Sequence, residues 1–181
     1  GPSYASVLCV ALLRPGPVLV TRRSAADAPA PPVTARIAEL HRAAGTVLGV
    51  SPLVTIDQDL VHTFARVTDD EPWFHVDPKR AATEGPFGGT VAHGFLTMSL
   101  ATRLLWDVVV VSDVRIILNY GLNKVRFPAP VKVGSRLRMH VSLTELHEIK
   151  DGVETIFHLV YESEGSDKPP CVADMVWRYY A

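Results

Sequence analysis

The chain has 181 residues, of which 48% are apolar, and a formal net charge of −1 at pH 7. This excludes a mostly disordered chain, which would be poor in apolar residues and strongly charged. It also removes the electrostatic case for nucleic acid, which needs a basic surface to displace counterions from phosphates. The length suits about one domain.

Residues 1–32 read as an N-terminal extension, set apart from a domain over residues 33–181. Gly1-Pro2 has the form of a scar from tag removal. Within the extension, Val7 to Leu13, Arg14-Pro15-Gly16-Pro17 and Val18 to Thr21 suit a strand, a turn and a strand. Proline presets the backbone angle that a turn centre needs. Ser24 to Pro32 is an Ala, Pro and Asp run, which suits a linker. The longest apolar run, Ala5 to Leu13, is broken only by Ser6 and stops at Arg14-Pro15, well short of the roughly 18 residues of a membrane span. The two cysteines, Cys9 and Cys171, make neither a disulfide framework nor a metal-ligand spacing. They fit a reducing, cytoplasmic setting.

From residue 33 the patterns sharpen. Thr34 can cap a helix carrying Ile37, Leu40 and Ala44, with Gly45 as its stop. Thr55-Ile56-Asp57-Gln58 has capping-box spacing and predicts a short amphipathic helix over 56–67, with Leu60, Val61 and Phe64 on one face. Residues 68–91 are rich in Pro, Gly and Asp and read as irregular. That is long for a loop inside a compact domain and points to function. Ala92 to Asp107 is apolar nearly all round, through Phe95, Leu96, Met98, Leu100, Ala101, Leu104 and Leu105, which predicts a buried helix. Strands follow over Asp113–Tyr120, Leu122–Phe127, Ser135–Leu146, Gly152–Glu162 and Cys171–Tyr180, separated by turn residues. Short connections favour antiparallel pairing. The fold class is α+β, one buried helix followed by an antiparallel sheet.

Three segments carry residues suited to chemistry. In Thr68 to Asp77, Asp70 and His75 lie five positions apart beside Trp73 and Phe74. An imidazole exchanges protons near neutral pH, and a carboxylate can orient it or share a water with it. A turn-capping Asp70 and a structural hydrogen bond at His75 account for the same letters. In Gly85 to Thr97, a glycine-containing loop runs into the buried helix, making Gly89, His93 and Gly94 the substrate-binding candidates. Amides at a helix start favour negative charge, and glycine lets a ligand approach the backbone. A tight turn with His93 opening the helix is the plainer alternative. In Asn119 to Val131, Lys124 and Arg126 suit either a phosphate-bearing ligand or a solvated strand face. Walker, dinucleotide, H-E-x-x-H, C-x-x-C and G-x-S-x-G spacings are missing from the sequence. His41, His62, His140, His147 and His158 are scattered without a ligand pattern, so no metal is expected.

Taken in order, Asp70–Asp77, Phe87–Thr97 and Asn119–Val131 resemble the MaoC-like dehydratase family. The likeness is strongest to its short (R)-specific enoyl-thioester hydratases, the branch that includes NodN-like proteins. Lys168–Ala173 and Tyr179-Tyr180 add to it, and it covers about residues 35–181. The resemblance implies a hot-dog fold, a long central helix wrapped by an antiparallel sheet, usually paired as a homodimer. It implies a thioester substrate on CoA or acyl carrier protein and no metal or redox cofactor. It implies that Asp70 and His75 hold the water that adds across an enoyl double bond, and that the Gly94 amide holds the thioester carbonyl. Lys124 or Arg126 would then touch the carrier's phosphates. The chain departs from the family pattern at Asp69, where glycine is frequent, and at Pro72, where Asn or Gln is usual. Rival readings are a hot-dog thioesterase and a non-catalytic subunit of a dehydratase assembly.

Overall fold

The structure, a computed structural model, describes residues 31–181 and the backbone of Val10 and Ala11. The strand–turn–strand and linker expected within 1–32, and Cys9, otherwise lie outside the described residues.

In chain order the elements begin with β1 (Val10–Ala11), β2 (Val33–Ala35) and α1 (Ile37–Ala43). Thr34 is not a helix cap. It lies in β2, which pairs in parallel with β5 (Val109–Val111), a partner 76 residues away that a local pattern does not reveal. The N-cap of α1 is Arg36, whose N–H donates to Glu39 at 2.6 Å. Gly45, at φ 82°, turns the chain out of α1 as expected, since only glycine takes that angle freely.

Next come β3 (Thr46–Val50), β4 (Val54–Thr55) and α2 (Gln58–Thr68). The cap of α2 is Asp57, whose carboxylate accepts from the Leu60 N–H at 2.8 Å. The expected Thr55 cap belongs to β4 instead. Val61 and Ala65 are buried, and Leu60 and Phe64 pack on the core. The supposedly irregular segment 68–91 holds two short helices, α3 (Trp73–Val76) and α4 (Pro78–Glu84). Asp77 caps α4, accepting from the Arg80 N–H at 3.0 Å, and Pro78 sits where no N–H is needed.

The central helix starts at Gly94, two residues later than its pattern suggests. It comprises α5 (Gly94–Ser99) and α6 (Ala101–Trp106), with a hitch at Leu100. Leu96, Met98, Ala101, Leu104 and Leu105 are buried, but Phe95 is 71% exposed, against expectation. A helix packed on one sheet leaves a side without partners, and Phe95 lies there.

The sheet continues with β6 (Ile116–Arg126), β7 (Arg136–Ile149), β8 (Gly152–Ser163) and β9 (Val172–Tyr180). Its order is β1-β6-β9-β8-β7-β3, all antiparallel, with β4 also pairing β7. The two strands expected around Gly121 are one, because bulges at Asn119/Gly121 and Leu122/Lys124 absorb the break. β8 alternates buried and half-buried residues along its whole length. Its inner face (Phe157, Leu159, Tyr161) joins Met139, Val141 and Trp177 against the central helix. Each fully buried side chain of this size contributes about 1.5–3 kcal/mol. An antiparallel sheet wrapped around a central helix is the hot-dog arrangement, in the α+β class.

Candidate active site

The turn after α2 begins the site. Asp69 closes the helix in the left-handed region (φ 54°, ψ 32°), its N–H bonded to the Ala65 carbonyl. Aspartate is among the few non-glycine residues that visit this region routinely. Asp69 therefore meets a backbone need that a glycine here would also meet. The Asp70 N–H also reaches the Ala65 carbonyl, at 3.1 Å. Pro72 precedes α3, where it has no N–H to lose, and its carbonyl accepts from the His75 N–H at 2.9 Å. Both departures from the family pattern fit the backbone.

His75 is buried, 8% exposed. Its Nδ1 lies 2.6 Å from the Val91 carbonyl oxygen, which only accepts, so Nδ1 carries the proton and Nε2 keeps a lone pair. The His75 carbonyl accepts from the Gln58 amide at 2.7 Å, and the Gln58 side-chain oxygen accepts from the Thr90 hydroxyl at 2.6 Å. Burial holds the His75 pKa below its ordinary 6.5. The Val91 bond opposes that shift, His93 adds to it, and the Asp70 charge opposes it.

His93 lies under His75, ring centroids 3.8 Å apart and planes 25° apart, with Phe64 at 5.1 Å. Its Nε2 donates to the Asp70 carbonyl at 2.8 Å and is 3.9 Å from an Asp70 carboxylate oxygen. Gly94 then opens α5, so its N–H has no acceptor one turn back in the helix. A Cβ at Gly94 would lie 3.1 Å from the Phe127 ring, closer than side chains normally pack. A cavity of about 270 Å³ adjoins Gly94, lined among others by Phe87, Thr97, Phe127, Val131 and Pro170.

Asp70, His75, His93 and Gly94 thus form one contiguous cluster, joined through the His93 ring by its bond to the Asp70 carbonyl and its stacking on His75. Gly89 is half-buried in the loop before Thr90, without a bond to the cluster among the described residues. Lys124 and Arg126 are exposed on β6, and the Arg126 guanidinium donates to the Val125 carbonyl at 2.8 Å. Among the described residues no contact ties either to the cluster. Gln58 and Thr90 are the residues that the sequence pattern does not mark for the site; Gln58 stands in it only as the end of a capping-box spacing. Gln58 reaches 17 residues to His75, and Thr90 reaches 32 residues to Gln58, distances at which one sequence carries no signal.

Four of the scattered histidines bond carboxylates: His41 to Glu148, His140 to Glu162, His147 to Glu145 and His158 to Asp174. His62 bonds the Val76 carbonyl. Among the described residues no group of three His, Cys, Asp or Glu is placed to hold a metal. No helix among them is long and apolar enough to cross a membrane.

The MaoC like domain family matches residues 39–163. The chain is 50% identical over 146 residues to the 3-hydroxyacyl-thioester dehydratase Z of Mycobacterium tuberculosis, covering 80% of this chain and 96% of that protein. It is 38% identical over 142 residues to nodulation protein N of Rhizobium leguminosarum bv. viciae, covering 77% and 88%. Among solved structures it resembles the (R)-hydratase from A. caviae involved in PHA biosynthesis. There the TM-score is 0.59 and the identity 25%, over 69% of this chain and 89% of that one.

Proposed function

The chain belongs to the family of MaoC-like domains, and from that premise we propose that it interconverts trans-2-enoyl and (3R)-3-hydroxyacyl thioesters by reversible addition of water. It is a hydro-lyase of the dehydratase kind, as the 50% identical relative is named. The observation that carries the assignment of roles is the convergence of Asp70, His75 and the start of α5 on one buried ring, that of His93.

In the hydration direction, a water between the Asp70 carboxylate and His75 Nε2 attacks C3 of the substrate. One water proton passes to the pair as the new C–O bond forms. The π electrons of the double bond move toward the thioester oxygen, where enolate charge develops. The Gly94 N–H faces that charge, and a fixed donor there lowers the barrier. The pair then returns a proton to C2, so that water is added with no net change in the enzyme. The bond from His75 Nδ1 to the Val91 carbonyl supports Nε2 as the working nitrogen, since the opposite tautomer would strand that carbonyl. The apolar cavity beside Gly94 suits an acyl or thioester segment.

The substrate carries CoA or acyl carrier protein, and the chemistry uses no separate cofactor. Lys124 and Arg126, exposed on β6, suit carrier phosphates. The same reading includes a homodimer. β6 pairs β1 only at Ile117 and Leu118, which leaves the rest of that edge open among the described residues. Tyr120, Leu122, Phe127 and Phe95 are exposed along or near it, and an open apolar edge invites a second strand. A cytoplasmic setting also belongs to the reading, supported by the unpaired, buried thiol of Cys171.

The test is the loss of enoyl absorbance with crotonyl-CoA and a medium-chain enoyl-CoA. The wild type should turn over, and Asp70→Asn and His75→Ala should each lose about 100-fold or more, as expected for a general acid–base pair. A well-folded wild type inactive on both substrates, or a His75→Ala variant as active as wild type, would overturn the assignment.

A further inference from the structure

We propose that His93 is a positioning residue for this reaction, one that fixes Asp70 and His75 to the start of α5 through its ring and its Nε2 proton. The inference rests on the function proposed above and gives a role to a side chain with no route of its own to the substrate. Its Nε2 is engaged by the Asp70 carbonyl at 2.8 Å. Its Nδ1 is buried without a hydrogen-bond partner among the described residues, in a residue 3% exposed. Neither nitrogen can meet a ligand atom, so the ring acts through what it touches.

What it touches is the reacting pair. One face lies on His75 at 3.8 Å, and Phe64 packs against it at 5.1 Å, so the ring is wedged. The Asp70 backbone is held twice, its N–H by the Ala65 carbonyl at 3.1 Å and its carbonyl by His93. The Asp70 carboxylate is 56% exposed, so packing does little to place it and the backbone must do so. The peptide that follows His93 presents the Gly94 N–H. One rigid ring therefore spaces the carboxylate, the imidazole and the oxyanion donor relative to one another. A displacement of about 1 Å among such groups costs on the order of 100-fold in rate.

Two substitutions separate the donor from the ring. His93→Phe keeps an aromatic surface under His75 and removes the donor to Asp70. His93→Gln loses the ring, but its amide nitrogen reaches about as far from Cβ as Nε2 does. Wild type, both variants and His75→Ala are assayed on crotonyl-CoA, with circular dichroism and melting curves to establish folding. His93→Phe should lose about 100-fold in kcat with KM within about twofold, the pattern of a lost transition-state arrangement. His93→Gln should recover at least about tenfold of that loss. The proposal is overturned if His93→Phe matches wild type, or if folded His93→Gln is no better than folded His93→Phe. Should His93→Phe fail to fold, His93→Asn, whose amide is too short to reach the Asp70 carbonyl, takes its place. Equal activity of the Gln and Asn variants overturns the proposal. A His75→Ala variant as active as wild type removes the proposed function, and this inference with it, whereas a crippled His75→Ala beside an unaffected His93→Phe removes the inference alone.

Discussion

Replacing Gln58 by leucine should weaken the fold by about 2 kcal/mol, although Gln58 lies outside the reacting pair. Its amide donates to the His75 carbonyl at 2.7 Å, and its oxygen accepts from the Thr90 hydroxyl at 2.6 Å. His75 and Thr90 are 8% and 6% exposed. Leucine would strand one acceptor and one donor, each at about 1–3 kcal/mol when buried. Gln58 itself is only half-buried, so water restores part of that loss, and the apolar side chain offsets about 1 kcal/mol more. The net of about 2 kcal/mol lowers the urea midpoint by about 1 M, for a slope of about 2 kcal/mol/M. Thr90→Val removes the stranded hydroxyl. The double variant should therefore be about 1 kcal/mol more stable than the sum of the single effects predicts. A Gln58→Leu midpoint within about 0.25 M of wild type, or strictly additive single effects, would show that the Gln58 bonds do not brace His75 and Thr90. The same variant should lower kcat more than it raises KM, because the turn carrying His75 loses a brace.

Other consequences follow from neighbouring observations. Burial lowers the His75 pKa, so a base at this position stays neutral near pH 7. kcat/KM should be flat there and fall on acidification through a pKa below 6.5, and a rise on acidification would contradict the role. Stability carries the same sign: below pH 6.5 the unfolded chain binds a proton that folded His75 resists, so urea midpoints should drop as pH falls through that range. Asp69→Gly exchanges a residue that tolerates the left-handed region for one that takes it freely at an entropy cost of about 0.5–1 kcal/mol, so the melting temperature should stay within about 2 °C of wild type, and a larger shift would show that Asp69 does more than close the helix. Leu122→Asp, on the part of the β6 edge left open among the described residues, should split the proposed homodimer and halve the mass measured by light scattering, and a dimer that survives it would show that another surface joins the subunits.

The parts of the fold legible in the sequence are those where a local period meets one buried face. β8 and the first half of β7 alternate as a half-buried strand must, and the central helix is dense in apolar residues. What escaped a local reading was set by distant partners. Thr34 becomes a strand residue because Val110 lies beside it, and β6 passes through Gly121 because bulges against β9 accommodate it. The helices α3 and α4 hide in a stretch whose composition reads as loop, although Asp77-Pro78 is a capping residue followed by a first-turn proline. At the site, Asp70 and His75 stand out as a carboxylate and an imidazole in one short segment. Sequence places His93 next to Gly94 as a substrate contact, whereas the fold turns its ring beneath His75. Gln58 is visible only in a capping-box spacing and carries no mark of its role at the site, because its partners come from two other segments.

In the proposed reaction, water attacks C3 of an enoyl thioester, not its carbonyl carbon. Incubating the protein with crotonyl-CoA in water labelled with heavy oxygen, followed by mass spectrometry and chiral separation, tests it directly. The expected product is an intact (3R)-hydroxyacyl thioester labelled in its 3-hydroxyl group, formed at least about 100-fold more slowly with His75→Ala. Label in a free carboxylate with release of the thiol would mean thioester hydrolysis and would contradict it.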